Sequence, residues 1–183
     1  THAPNRDHDA RHWVWSIRRY LVGEVCDGDS GATPDPKLCV KNALEGYREY
    51  ARRLPRECTL QLVEIAPARR HKSLTAEQAR REEGRQLLAA IPQDCHVIAM
   101  DVRGKGWSTE HLATQLHDWL GSGRDVALLV GGPDGLAQDC LERAGLAWSL
   151  SPLTFPHALV RVLVAEQLYR AWTINSGHPY HRS

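Results

Sequence analysis

The sequence predicts an α/β domain with a largely parallel β-sheet. Strand patterns and helix patterns alternate along the chain after Pro36, which favours this class over all-α or all-β folds. Several predicted strands are apolar on both faces, as is typical of parallel sheets that helices cover. The composition is globular, with 42% hydrophobic and 25% charged residues among 183. It suits one domain, or one domain with an extension.

The predicted strands are short runs rich in β-branched and other apolar residues. They span residues 60–65, 97–102, 126–130 and 146–150. Gly104 and Gly106 are expected to end the second strand, because glycine weakens a strand interior. The third strand is wholly apolar, so we expect it to be buried on both faces.

The predicted helices show apolar residues at helical spacing. They span residues 43–54, 75–90, 109–120, 137–144 and 157–174. Pro55 is expected to stop the first helix. Ser108 or Thr109 can cap the third helix, and Gly121 and Gly123 can close it.

The first 40 residues differ from the rest of the chain. They are polar and rich in Asp, His, Gly and Pro, apart from an apolar patch between Trp13 and Ile17. Residues 26–36 have the composition of a loop. A candidate first strand comprises Tyr20, Leu21, Val22 and Val25. We therefore divide the chain into an N-terminal extension or altered first strand at 1–40 and a main domain at 41–183.

Charge and composition exclude several classes of protein. A net charge of +1 excludes a histone-like polycation, so nucleic-acid contact would need a local patch. No apolar run approaches the roughly 18 residues that span a bilayer. The opening residues lack the apolar core of a secretory signal. We expect a cytoplasmic protein with no membrane contact.

Cysteines and histidines give no sign of a metal site. The five cysteines are scattered and form no C-x-x-C pair, and the ten histidines show no H-E-x-x-H spacing. We therefore expect no metal. The cysteines are interpreted as small buried hydrophobic residues in a reducing cytoplasm.

The strongest local signal is the segment LLVGGPDGL at 128–136. A buried strand stops at two glycines, turns through Pro-Asp-Gly, and leads into a helix. Glycines at the carboxyl end of a parallel strand let a ligand approach the backbone closely. A tight turn with no ligand explains the same residues equally well. The P-loop spacing and its lysine are absent, which excludes a P-loop.

A second loop, LSPLTFP at 150–156, enters the long final helix. Its two prolines stiffen the loop and restrict the residues before them to extended backbone geometry. Its backbone donors and acceptors could hold a planar ring, although a rigid connector is about as well supported.

The final helix is apolar on more than one face, which indicates burial on several sides. A partner subunit could cover one of them, and packing within one core is the alternative. Glu166 and Arg170 have the i,i+4 spacing of a salt bridge. Arg161 interrupts the apolar surface and needs a partner, either a carboxylate or an RNA phosphate.

The C-terminal segment HPYHRS at 178–183 combines an aromatic ring, two imidazoles and a guanidinium. Chain ends often fray. Alternatively, Tyr and His could stack on unpaired bases while Arg binds phosphate. The basic loop 69–72 is most simply a solvated charge run, with RNA contact as the second interpretation.

Residues 126–182 resemble the ribosomal RNA large subunit methyltransferase H family, which belongs to the SPOUT class of RNA methyltransferases. The matching stretches are LVGGPDGL at 129–136, SLS at 149–151, LTFPH at 153–157, LVRVL at 159–163, EQLYRAW at 166–172 and HPYHR at 178–182. Weaker likeness extends back through VIAMD at 97–101 and EYARRLP at 49–55. The first 40 residues depart from the family pattern, in which a strand ends in a Val-Gly turn, and Val22-Gly23 is the candidate match.

The resemblance implies a SPOUT-type α/β knot. It has a mostly parallel sheet with helices on both faces, a C-terminal trefoil knot and a homodimeric assembly. The implied cofactor is S-adenosyl-L-methionine. The residues that would bind it are Met100, Gly131, Gly132, Leu150, Ser151, Pro152, Leu153, Thr154 and Phe155.

The implied reaction is methylation of N3 of a pseudouridine in 23S rRNA on the assembled ribosome. Two alternatives remain: a knotted methyltransferase with another RNA target, and a non-catalytic ribosome-binding module. An imide nitrogen is largely protonated at neutral pH. Catalysis therefore needs in-line positioning of the acceptor and the methyl donor, together with either stabilisation of the imide anion or a general base that removes the proton.

Our hypothesis assigns the acceptor side of the reaction to the final helix and the tail. The candidate catalytic residues are His157, Arg161, Arg170 and Tyr180, with His157 or Tyr180 near the proton. The candidate RNA-binding residues are His178, His181 and Arg182. Asp134 is an alternative base, although it could simply shape the turn.

Overall fold

The computed structural model describes residues 12–18, 36–65, 68, 75–132, 134–155 and 157–181. Five parallel strands form one sheet in the order β2-β1-β4-β3-β5. The strands are β1 (His12–Arg18), β2 (Thr59–Ile65), β3 (Cys95–Gly106), β4 (Asp125–Val130) and β5 (Leu146–Ser149). The helices are α1 (Pro36–Ala51), α2 (Ala76–Ala90), α3 (Thr109–Ser122), α4 (Gln138–Arg143) and α5 (His157–Asn175). The predicted α/β class with a parallel sheet is confirmed.

Side chains of β4 alternate between two hydrophobic cores. Val126, Leu128 and Val130 belong to the core that includes residues of α1, α3 and α5. Ala127 and Leu129 belong to the core that includes residues of α2 and α4. Because successive strand residues point to opposite faces, a wholly apolar strand must be covered on both sides. Helices therefore lie on both faces of the sheet, as predicted.

Helix boundaries agree closely with the predicted signals. Thr75 and Gln78 form a capping box at the start of α2, and Ser108 accepts a bond from the His111 N–H at the start of α3. Gly123 ends α3 with φ of 73°, a conformation that glycine adopts without strain. α1 begins earlier than predicted, at Pro36, because proline suits the first turn of a helix.

The first described strand lies at His12–Arg18, between β2 and β4. Its sequence signal is the alternation of Trp13, Trp15 and Ile17 within the apolar patch, a period of two that favours a strand. The predicted first strand at 20–25 lies outside the described residues.

β3 is longer than predicted. The expectation that Gly104 ends it is wrong, because the strand continues past this residue, whereas Gly106 is its last residue, as predicted. Met100 and Lys105 both pair with Trp148, so the residues between them form an irregular excursion from the β5 register. A Cβ on Gly104 would lie 2.7 Å from the Ala147 carbonyl carbon. The missing side chain thus lets the two backbones approach.

α5 packs against both α1 and α3, and Val164, Ala165 and Leu168 are fully buried. Near its start, Leu159 remains 43% exposed. Packing within one chain therefore explains most of the described apolar surface of this helix, with Leu159 as the exposed exception.

Cys58, Cys95 and Cys140 are buried, as predicted for these three, and burial raises the pKa of the Cys140 thiol to about 11. No helix in the described part of the chain has both the length and the apolar character to cross a membrane. Among the same residues, no three His, Cys, Asp or Glu side chains come together as metal ligands. The trefoil knot stays a prediction.

Candidate active site

A cavity of about 620 Å³ opens at the carboxyl ends of β3, β4 and β5. Its volume lies in the range of about 300 to 1,000 Å³ that small-molecule sites occupy. Eight of the nine residues predicted to bind a cofactor line it: Met100, Gly131, Gly132, Leu150, Ser151, Leu153, Thr154 and Phe155. The ninth, Pro152, is exposed in the same loop and is not among the lining residues. Three separate segments of the predicted site thus meet around one cavity.

The glycine-rich segment after β4 forms a tight turn that also lines the cavity. The Gly135 N–H donates to the Gly132 carbonyl oxygen at 2.9 Å, and Gly135 has φ of 81°. A Cβ on Gly131 would lie 2.6 Å from the Leu136 nitrogen and 2.8 Å from the Gly135 oxygen. The missing side chain of Gly131 therefore lets the backbone fold back on itself. The segment is therefore a tight turn that forms a wall of the cavity, and its contact with a ligand stays a prediction.

Two serines hold the loop that follows β5. The Ser149 hydroxyl donates to the Ser151 carbonyl oxygen at 3.1 Å, and the Leu153 N–H donates to the Ser151 hydroxyl oxygen at 3.0 Å. These bonds fix the backbone before Thr154 and Phe155, which line the cavity. The loop is therefore an ordered wall.

The excursion of β3 adds residues that sequence reasoning missed. Asp101, Val102 and Arg103 line the cavity. Arg103 donates from its Nε and from its backbone N–H to Asp101 Oδ1, at 3.0 and 2.8 Å. Hydrogen bonds from Arg103 hold the pKa of the Asp101 carboxyl below its ordinary value. No periodic pattern marks these residues, because a bulge depends on the pairing between strands.

The C-terminal tail folds back onto α5. The Gly177 N–H donates to the Ile174 oxygen at 3.2 Å and the His178 N–H donates to the Thr173 oxygen at 2.9 Å. With Gly177 at φ of 66°, these bonds form a Schellman motif. The described tail, up to residue 181, is therefore packed and not frayed.

Tyr180 lies at the centre of a cluster of aromatic and charged side chains. Its hydroxyl donates to Glu166 Oε1 at 3.2 Å, and its ring packs edge-on against Tyr169 with 4.8 Å between centroids. The Arg170 guanidinium lies 5.1 Å from the Tyr180 ring centroid and donates from Nε to Glu166 Oε1 at 2.9 Å. The predicted Glu166–Arg170 pair is confirmed. We call Tyr50, Glu166, Tyr169, Arg170 and Tyr180 the tail cluster.

The pKa of Tyr180 is raised far above the ordinary value of a phenol. Burial is the largest cause, followed by a hydrogen bond with Tyr50 and the negative charge of Glu166. A phenol held in its neutral form donates a hydrogen bond at neutral pH and does not accept a proton. Of its two predicted roles, this environment favours support of an anion over proton removal.

The other predicted acceptor-side residues occupy different places. Arg161 is 3% exposed, and its charge lowers the pKa of Tyr47, although burial outweighs this and raises that pKa to about 12. His178 accepts a bond at Nδ1 from the Tyr180 N–H at 3.2 Å. Nδ1 of His181 is buried. Hydrogen bonds with its own backbone N–H and with Ser108 lower the pKa of Glu110 at the start of α3, and His181 contributes to the same shift.

The structure places three of the remaining candidates only in part or not at all, and it describes the fourth. His157 is the first residue of α5, and the structure does not describe its side chain. Arg182 and the basic loop 69–72 lie outside the described residues. Asp134 lies in the glycine turn and lines the cavity.

The cavity and the tail cluster share no residue within the described chain. α5 contributes Val160 to the cavity lining, and Glu166 and Arg170 to the tail cluster. The structure therefore brings the residues predicted to bind the cofactor together around the cavity. It places Arg170 beside Tyr180 in the tail cluster. The roles assigned to individual residues stay predictions.

Comparison with known proteins defines the class. A family model described as "Predicted SPOUT methyltransferase" matches residues 37–181, which is most of the chain and includes every described residue of the cavity and the tail cluster. The fold is thus that of a SPOUT methyltransferase.

Two curated relatives carry the name Ribosomal RNA large subunit methyltransferase H. The protein from Methylococcus capsulatus is 59% identical over 75% of this chain and 89% of its own length. The protein from Alkalilimnicola ehrlichii is 61% identical over 77% of this chain and 90% of its own length. The chain belongs to the ribosomal RNA large subunit methyltransferase H family. A solved methylase family protein from Neisseria gonorrhoeae is 12% identical with a TM-score of 0.46, covering 92% of this chain and 86% of that one.

Proposed function

We propose that this protein methylates large-subunit ribosomal RNA with S-adenosyl-L-methionine as the methyl donor. The observation that carries the proposal is the single cavity formed by Met100, the glycine turn and the loop after β5. Family membership supports the class of reaction, and the names of the relatives support the kind of RNA.

The lining residues suit a donor with an aromatic ring, a ribose and a charged tail. Met100, Trp148, Leu150 and Val160 provide apolar contact area. The ordered backbone of the loop after β5 can bind a planar ring through peptide groups. Bound S-adenosylmethionine supplies a methyl group on a sulfonium sulfur, which is already a good leaving group.

Activation of the acceptor is then the main task of the protein. The tail cluster offers Arg170, a cation, and Tyr180, a phenol kept neutral at physiological pH. Both can stabilise negative charge that develops on an imide when its nitrogen loses a proton. His157 and Asp134 are the candidates for accepting that proton.

We further propose that the target is N3 of a pseudouridine in 23S rRNA, on assembled ribosomes in the cytoplasm. A net charge of +1 gives little general attraction to phosphate, so recognition would depend on the shape of the assembled particle. Free rRNA should then be a poor substrate compared with intact ribosomes. Equal turnover on both would refute this part of the proposal.

We also propose a homodimer. Val102, Leu153 and Leu159 are large apolar side chains that are 58%, 70% and 43% exposed, and the first two line the cavity. Exposed apolar groups of this kind mark interaction surfaces. The separation of the cavity from the tail cluster within one chain further supports a site that a second copy completes.

The experiment that tests the function is mass mapping of rRNA nucleosides from a strain that lacks this gene. We expect loss of one methylated pseudouridine in 23S rRNA and its return when the gene is restored. Loss of a different methylated nucleoside would favour the alternative RNA target. An unchanged nucleoside profile, together with no donor binding in calorimetry, would favour a non-catalytic ribosome-binding module.

A further inference from the structure

We propose that Arg80 binds the carboxylate of the amino-acid part of the methyl donor. The inference rests on the proposed function, because it names a residue that recognises the donor. Arg80 lies on α2 and lines the cavity. A smaller adjoining cavity also brings it together with Gly132 and Gly135 of the glycine turn. Arg80 therefore reaches the site from a helix that no sequence motif connected to it.

The carboxylate of the donor needs hydrogen-bond donors in the cavity, and a cationic side chain forms the strongest of these bonds. S-adenosylmethionine carries one carboxylate beside its ammonium and sulfonium groups. Among the described lining residues, the cationic side chains are Arg80 and Arg103. Arg103 donates from Nε and from a terminal nitrogen to the two oxygens of Asp101, at 3.0 and 2.9 Å, and is 75% exposed. A guanidinium already paired in this bidentate way has its charge balanced.

Arg80 is less completely paired. One terminal nitrogen bonds with Glu77, while Nε is buried and has no hydrogen-bond partner. The same Glu77 carboxylate also accepts from Arg81 Nε at 3.0 Å. Glu77 is thus shared between two guanidinium groups and does not pair with Arg80 alone, while the buried carboxylate of Glu83 also lines the adjoining cavity. A buried donor without an acceptor is unfavourable, and a carboxylate at this place would supply one.

The position of Arg80 also agrees with the shape of the donor. The loop after β5 and the apolar side chains suit the adenosine part, whereas Arg80 belongs to the wall that includes the glycine turn. An RNA phosphate is the other anion that Arg80 could meet. Because Arg80 lines both cavities, we favour a small ligand inside the cavity over a macromolecule at the surface.

The test is isothermal titration calorimetry of the full chain with two ligands. S-adenosylhomocysteine keeps the amino-acid carboxylate, and methylthioadenosine lacks the whole amino-acid part. The variants are Arg80→Met, which keeps an apolar stem, Arg80→Lys, and the control Arg81→Met. Arg81 shares Glu77 with Arg80 but is 75% exposed and does not line the cavity. Thermal unfolding of each variant checks that the fold is retained.

We expect Arg80→Met to raise the Kd for S-adenosylhomocysteine about 10- to 100-fold and to leave the Kd for methylthioadenosine within about twofold. Arg80→Lys should recover part of the loss, because lysine keeps the charge without the planar fork. Arg81→Met should match the wild type. Equal losses for both ligands, or unchanged donor affinity with weakened RNA binding, would overturn the assignment. If the wild type bound neither ligand, the proposed function itself would fail, a result distinct from failure of Arg80 alone.

Discussion

At the residue scale, the surroundings of a tyrosine determine the pKa of its phenol and the hydrogen bonds that it makes. Burial raises the pKa of both Tyr47 and Tyr180, so both phenols stay neutral to a higher pH than an exposed tyrosine does. Tyr47 donates to the Leu60 carbonyl oxygen at 3.2 Å and belongs to the core. Tyr180 donates to Glu166 at the surface of α5. The same chemical group thus belongs to the core in one place and to the tail cluster in the other.

Tyr47 should make the fold sensitive to alkaline pH. Its pKa of about 12 in the folded protein exceeds that of an unfolded tyrosine, near 10. Its contribution to stability is therefore fully present below pH 10 and is lost as the pH rises towards 12. At pH 11 the loss from this group is about 1.4 kcal/mol. Urea unfolding at pH 9 and pH 11 should show this loss in the wild type and a smaller one in Tyr47→Phe. An identical pH dependence in both proteins would contradict the prediction.

Tyr180→Phe should separate catalysis from donor binding. The change removes a hydroxyl from the tail cluster and leaves every cavity residue in place. We expect kcat on ribosomes to fall about 100-fold, as when one donor to a developing anion is lost, while the Kd for S-adenosylhomocysteine stays the same. Tyr50→Phe is the matched control. It removes the hydroxyl that hydrogen-bonds with Tyr180 and leaves the Tyr180 hydroxyl in place. A variant Tyr180→Phe with wild-type kcat would exclude the assigned role.

At the element scale, close contacts between backbones determine the walls of the cavity. Gly131 lets the chain after β4 fold back against residues 135 and 136, and Gly104 lets β3 approach β5. A third close contact joins α2 to α4, where a Cβ on Gly84 would lie 2.5 Å from the Ala137 Cβ. Each glycine therefore has a packing reason that is independent of any ligand.

Gly131→Ala should destabilise the fold and weaken donor binding together. The added methyl group would meet backbone atoms at 2.6 and 2.8 Å, which cannot move as a flexible side chain can. We expect a loss of about 1 to 3 kcal/mol in the free energy of unfolding. Gly121→Ala is the control, because that position in α3 has open space around it and alanine favours helix. Equal stability of the two variants would show that the turn relaxes without cost.

At the scale of the whole molecule, three large apolar side chains remain exposed among the described residues, and two of them line the cavity. Leu159 is on the first turn of α5, while Val102 and Leu153 lie on the β3 excursion and the loop after β5. These three elements come from distant parts of the sequence and form the surface that we assign to a second copy. The other side of α5 is already occupied by α1 and α3.

Leu159→Glu should shift the protein from dimer to monomer. A carboxylate on this surface would have to be buried without a partner when two copies associate. Ala89→Glu places the same charge on an exposed position of α2, on the other face of the sheet, and should leave the mass unchanged. Light scattering after size exclusion measures both. A wild type that is monomeric at every concentration would refute the proposed homodimer.

The sequence alone predicted much of this protein, because the deciding signals are local. Short apolar strands, the helix cap at Ser108 and the glycine turn at 131–135 all depend on a few neighbouring residues. The family motifs also identified most residues of the cavity. What the sequence could not decide depends on contacts between distant segments. The excursion that brings Asp101 to the cavity requires pairing with β5, and Arg80 reaches the cavity because α2 packs on the sheet beside the glycine turn. The packing of Tyr180 against Tyr169 likewise follows from the turn at Gly177. Local pattern fixes which faces are apolar, and tertiary packing alone fixes which polar side chains meet.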